Sequence, residues 1–308
     1  MNGYTEVLTT FQQWALFCGV VIVVGCVTWV AVVAPRVGGQ VALDEGDGLR
    51  RIERRVASIG AFAVVGMLAA WPLRLVVQVM GFRDPFVPLW EDVSFLLFET
   101  FWGTVWMAQG AVLPLLGAAF WLARGSASVT PKRSWTWGVA GGLVLALTAT
   151  LALSSHAMGV DSRRTLIVTA DAVHALAAGG WIGALGIILT AGRQDERDRG
   201  LFAAQLRSFS RVAIFSVAAL TGMGVVLAWT HLQTLSDLWT TGYGRVLSAK
   251  VGVVVLVLLV GLWNWRTGLP GLDTSEGTAK VQRRAALEVS LAAGVLILTA
   301  VLVHQAKP

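Results

Sequence analysis

Apolar runs of about 18 residues or more recur from one end of this chain to the other, and that recurrence leaves few folds open. In hydrocarbon every backbone N–H and C=O must be satisfied within its own segment, so each run is expected to close its hydrogen bonds as an α-helix. Spans are expected at 11–34, 56–80, 95–123, 135–155, 165–191, 212–231, 245–263 and 285–304. The predicted fold is all-α, a polytopic membrane helical bundle of about eight transmembrane helices set in a lipid bilayer. Polar connections are short, so no separate soluble domain is expected, only N-terminal transmembrane helices at 1–134 and a C-terminal transmembrane part at 135–308. No Lys or Arg precedes the first span and no small-residue cleavage site follows it, which predicts a retained helix rather than a signal peptide.

The formal net charge is +6, and its distribution argues for topology rather than a nucleic-acid partner. Connections after the odd-numbered spans carry Arg36, Arg50, Arg51, Arg54 and Arg55; Arg124, Lys132 and Arg133; Arg193, Arg197, Arg199, Arg207 and Arg211; and Arg266, Lys280, Arg283 and Arg284. The opposite side, termini included, holds only Arg83, Arg163, Arg164 and Lys307, with Arg74, Arg245 and Lys250 inside spans. Basic residues stay cytoplasmic, which predicts both termini outside. Among the fourteen tryptophans, Trp14, Trp90, Trp121, Trp135, Trp137, Trp229, Trp239, Trp263 and Trp265 fall near span ends as an interfacial belt, whereas Trp102, Trp106 and Trp181 are mid-span. Pro114 predicts a kink in the third span.

Four histidines are all the chain has, and under this orientation all lie in its outer half. His156, His231 and His304 end spans there, while His174 lies within the fifth span, at a depth of ~12 Å given 1.5 Å rise per residue. Asp171 precedes His174 by three positions, so the two share a helix face that Ala178 and Trp181 continue. Ionisable groups inside a span are costly, and they mark either a site or a buried packing pair. Imidazole suits late transition metals, and an aspartate on the same face either binds metal or orients the ring. Met158, Met223 and Met80 supply soft thioethers on the same side, a constellation that favours copper over a closed structural zinc site.

Other polar groups have both plain and functional readings. Cys18 and Cys26 are eight positions apart on one helix, ~12 Å along the axis, which excludes a disulfide between them. They are packing residues or a thiolate step on a Cu(I) path. Arg74 and Glu99 are expected to pair or snorkel, Lys250 to neutralise Asp171 or repel a cation, and Glu288 to pair with Arg283 or Arg284 or to lie on an exit route.

His156, the run Asp171-Ala172-Val173-His174-Ala175-Leu176-Ala177-Ala178, and Trp181-Ile182-Gly183 together resemble the copper resistance protein D (CopD) family of bacterial inner-membrane proteins. The resemblance continues through Arg207-Ser208-Phe209-Ser210, Thr221-Gly222, Thr241 to Leu247 with Lys250, and Asn264 to Pro270, covering about residues 150–290. One departure is Trp265, which separates Asn264 from Arg266 where the family reads Asn-Arg directly. The resemblance implies a multi-pass inner-membrane protein that handles copper, taking it up from the periplasm and contributing to copper homeostasis or resistance. It also implies a small periplasmic CopC-like copper-binding partner, and it carries over to His156, Asp171 and His174.

The expected function is therefore copper transport rather than catalysis, with His156, Met158, His174, Asp171, His231 and Met223 as candidate ligands. Copper would bind at the rim and pass inward by ligand exchange among weak sites. The alternatives are a membrane cytochrome with haem b between two histidines, and a non-transporting copper-delivery or assembly factor. No phosphate-binding loop is visible, which argues against primary pumping.

Overall fold

The computed structural model describes residues 3–39, 46–125, 135–154, 164–192, 199–272 and 274–305. Helix α1 runs Gly3–Thr28, passes a π-helical turn at Trp29–Val33 and ends with Ala34–Gly38. It is followed by α2 (Gly46–Phe82), the short α3 (Leu89–Phe98), α4 (Phe101–Gly125) and α5 (Trp135–Leu153). Helix α6 runs Arg164–Ala178, turns through a second π-helical stretch at Gly179–Gly183 and finishes with Ala184–Ala191. Then come α7 (Arg199–His231), the single turn α8 (Asp237–Thr240), α9 (Gly242–Gly268) and α10 (Ser275–Val303). Eight of these, all but α3 and α8, are long and apolar enough to cross a membrane, and among the described residues there is no strand.

Each expected span is matched by one of these helices, but α2, α7 and α10 start well before their apolar runs, and the third span starts elsewhere. The third was expected to start at 95, but the chain breaks between α3 and α4 at Glu99–Thr100. Thr100 causes the break: its Oγ1 accepts the Gly103 N–H at 3.0 Å, as a helix N-cap does. Gly103 lets the two helices fold onto each other, since a Cβ there would lie 2.3 Å from the Leu96 carbonyl oxygen.

Helix α1 is the central post. Over its most apolar window 56% of residues are buried in the bundle, against 0% in α7. It packs against α2, α6 and α10, and its contact with α6 is the closest approach. A Cβ on Gly183 would meet the Val21 carbonyl oxygen at 2.0 Å, and one on Gly25 would meet the Gly183 carbonyl carbon at 2.3 Å. Small residues allow such backbone contact where no hydrophobic effect drives helices together. Both partners carry their π-helical turns near this crossing, which rotates the following side chains relative to an uninterrupted helix.

Tryptophans tie distant helices together. Trp29 Nε1 donates to Gln205 Oε1 at 2.8 Å, and both side chains are buried. Trp137, expected in the interfacial belt, is buried instead and donates to Glu53 Oε1 at 2.8 Å. Glu53 had looked like part of a loop, but α2 begins earlier than its apolar run and draws this acid into the bundle. Trp90, Trp121, Trp135, Trp229, Trp239, Trp263 and Trp265 are exposed, as a belt requires.

Candidate functional site

The amphipathic start of α6 sets the site. Asp171 and His174 are one turn apart, and the ring of His174 faces α7, where Leu220 and Gly224 form the opposing stripe. A Cβ on Gly224 would lie 3.5 Å from His174 Cε1 and 3.8 Å from Nδ1, so the missing side chain leaves the imidazole against bare helix. His174 Nδ1 is closed to solvent and has no hydrogen-bond partner among the described residues. A buried polar atom left without a partner costs about 1–3 kcal/mol, which sets this nitrogen apart from the satisfied groups around it.

Lys250 of α9 lies within electrostatic reach of both Asp171 and His174, and Tyr243 of α9 lies within reach of Asp171. Two helices, α6 and α9, thus bring an acid, an imidazole, an ammonium and a phenol together, with α7 packed against the imidazole. His231, at the end of α7, stacks on Tyr243 with ring centroids 6.1 Å apart and planes 10° from parallel. Its Nδ1 lies 2.8 Å from the Leu227 carbonyl oxygen, which fixes the ring to its own helix. Met223 is half-buried on α7 beside Gly224, whereas Met80 is exposed. His156 and Met158 lie outside the described residues. Among the described residues no three His, Cys, Asp or Glu side chains gather as a metal site, and the Asp171–His174 pair with its neighbours is what the described part of this end brings together.

Beyond this end, Cys18 and Cys26 are both free; Cys26 is buried, with its thiol directed at the Val56 carbonyl oxygen at 3.4 Å. The expected Arg74–Glu99 pair does not form. Arg74 instead donates to Gln109 Oε1 and Ser154 Oγ, each at 2.8 Å, while Glu99 caps α3 on the far side of the break. Glu288 does not pair with Arg283 or Arg284; it accepts the Trp181 Nε1 proton at 3.0 Å. Arg284 turns outward, donating to Thr267 Oγ1 at 2.6 Å with its guanidinium 3.9 Å from the Trp263 ring centre. An open cleft of ≈410 Å³ lined by Arg54, Arg55, Ser58, Trp121, Arg124 and Gly125 lies between α2 and α4, and contains none of the candidate ligands.

Asp237, on the connection between α7 and α9, closes the rim beside Tyr243. It accepts from the backbone of Thr234 at 2.7 Å and of Gln233 at 3.0 Å, and from Thr234 Oγ1 at 2.9 Å. The Thr234 backbone N–H, followed by its hydroxyl, holds this carboxyl below the ordinary aspartate value.

The copper resistance protein D family matches over residues 203–302. That segment holds Met223, His231, Tyr243, Lys250 and Glu288, while Asp171 and His174 precede it. The copper transport protein CutJ of Bacillus subtilis (strain 168) is 25% identical over 264 residues, which cover 83% of this chain and 46% of that protein. The chain thus spans about half the length of the curated relative it matches. No solved structure matches.

Proposed function

We propose that this chain, whose residues 203–302 match the copper resistance protein D family, carries copper across the bacterial inner membrane, inward from the periplasm. The observation that supports this most is the buried, unpartnered Nδ1 of His174, one helical turn from Asp171 and open toward Gly224. A neutral imidazole nitrogen is a good copper donor, and a neighbouring carboxylate offsets the charge of an arriving cation. His156 and Met158 are the proposed rim ligands, His174 with Asp171 the deeper station, and Met223 and His231 flank it. Lys250 balances Asp171 while no cation is bound and makes the site weaker once one arrives, which favours release over storage. A CopC-like periplasmic protein is the proposed donor to the rim.

His174→Ala is expected to lower copper accumulation in cells at least tenfold while the protein still reaches the membrane at normal level. Accumulation equal to wild type in that variant would remove the imidazole from the route. A delivery factor that does not transport is separated from this reading by copper entry into liposomes that hold only the purified protein.

A further inference from the structure

His174 lies at one end of the bundle, and a cation that leaves it needs a second polar stop before the arginine-rich end. Trp181 lies seven residues beyond His174 along α6, about 10 Å further along the axis. Trp181 sits in the π-helical turn Gly179–Gly183 and points its indole N–H at Glu288 of α10. Glu288 is only 3% exposed, and among the described residues no Lys, Arg or His forms an ion pair with it. A lone carboxylate in that setting costs free energy until a proton or a cation joins it, because one neutral N–H does not repay the loss of water.

The seam between α9 and α10 is built around this carboxyl. Gly261 lies opposite it, where a Cβ would be 3.2 Å from Glu288 Oε1, so the absent side chain keeps room beside the oxygen. Two turns further along α9, Gly268 lies opposite Val281, at 2.7 Å from its Cγ2 by the same measure. These two pairs fix an antiparallel register that puts Asn264 between them, against the Ala285 level of α10. Asn264 Oδ1 is buried without a hydrogen-bond partner among the described residues and lies toward Gly268, the side away from Glu288. Glu288 and Asn264 thus form a file of oxygens running from the Trp181 level toward Thr267 and Arg284.

We infer that the α9–α10 seam is the inner half of the copper route, with Glu288 the carboxylate that receives the cation after His174 and Asn264 the next oxygen donor. The inference rests on the copper-transport reading above. Carboxylate and amide oxygens bind copper more weakly than imidazole or thioether, so ions pass from a tighter outer station to looser inner ones.

The test is copper flux into proteoliposomes that hold only this protein, as wild type, His174→Ala, Glu288→Gln and Asn264→Leu, with copper binding to each purified protein measured alongside. Glu288→Gln keeps an oxygen that accepts the Trp181 N–H, so a merely structural acceptor predicts wild-type flux. The inference predicts flux reduced at least tenfold in Glu288→Gln and severalfold in Asn264→Leu, with copper binding retained in both and lost in His174→Ala. Wild-type flux in Glu288→Gln overturns the inner route and leaves the proposed function standing. No flux above protein-free liposomes for the wild type overturns both. Glu288→Asp, which keeps the charge, is expected to recover part of the flux and serves if the amide variant does not fold.

Discussion

Two of the polar clusters within the spans, those around Arg74 and His174, are finished differently. Around Arg74 the charge is met on every side: Gln109 and Ser154 each accept from the guanidinium, and Trp102 lies 5.6 Å beneath it. Its floor is the stacked pair Trp71 and Trp106, with centroids 3.9 Å apart, each donating its indole N–H to the other's backbone oxygen. Around His174 the groups are brought near one another yet left with an open nitrogen, a missing side chain at Gly224 and opposing charges on Asp171 and Lys250. A cluster built for packing spends its hydrogen bonds internally, whereas one built to hold a passing ion keeps some of them for the ion. Gln109 Nε2 is the one loose end in the first cluster, and it is an amide donor, which repels a cation.

The contrast is broken most severely by Arg74→Ala. Removing the guanidinium strands the Gln109 oxygen in a buried position and frees Ser154, so stability in detergent is expected to fall by about 2–5 kcal/mol. Copper binding per folded molecule is expected to stay at the wild-type level, and a drop in binding without a drop in stability would reverse the assignment of the two clusters. Gly224→Ala probes the other side. The added methyl makes ordinary contact with the His174 ring, so stability is expected to hold or rise by up to about 1 kcal/mol, while copper affinity falls severalfold because the approach to Nδ1 is narrowed. Unchanged affinity in a calorimetric titration would mean that the ion does not use that face of the ring.

The smallest effect is expected at Asp237, which belongs to neither cluster. Its folded carboxyl is held below the ordinary value, so its contribution is complete above that value and is lost as pH falls through the lowered folded one. Asp237→Asn is expected to flatten this acid limb of the thermal-stability profile slightly, and to leave copper binding at neutral pH unchanged. A large change in copper binding would extend the site to the α7–α9 connection.

Much of this arrangement was legible in the residues, and the misses have physical causes. The spans follow from apolar runs long enough to cross hydrocarbon, and the shared face of Asp171 and His174 follows from helical periodicity. The break before α4 was missed because its apolar run continues through Phe98 and Phe101; the usable cue was Thr100 three residues before Gly103, an N-cap spacing. Arg74 was expected to snorkel or to pair with Glu99, the nearest acid at similar depth, while its real partners sit 35 and 80 residues away. Glu53 was missed because a short arginine-rich stretch reads as a loop even where the helix continues through it. Glu288 was placed with the arginines four and five residues before it, and the i,i+4 spacing does bring Arg284 to a neighbouring position, but Arg284 is taken up by Thr267 and Glu288 by Trp181, partners on other helices.

The sequence by itself determined that this chain crosses a membrane eight times as helices and that its histidine and aspartate share one helix face, because both follow from length, polarity and a fixed helical period. Tertiary structure alone decided which polar groups meet. That outcome depends on how each helix is rotated and how closely its neighbours approach, and here Gly25, Gly179 and Gly183 with the π-helical turns set both. A rotation of one residue's worth, about 100° around a helix of 3.6 residues per turn, would turn Trp181 away from Glu288 without altering a single hydropathy value.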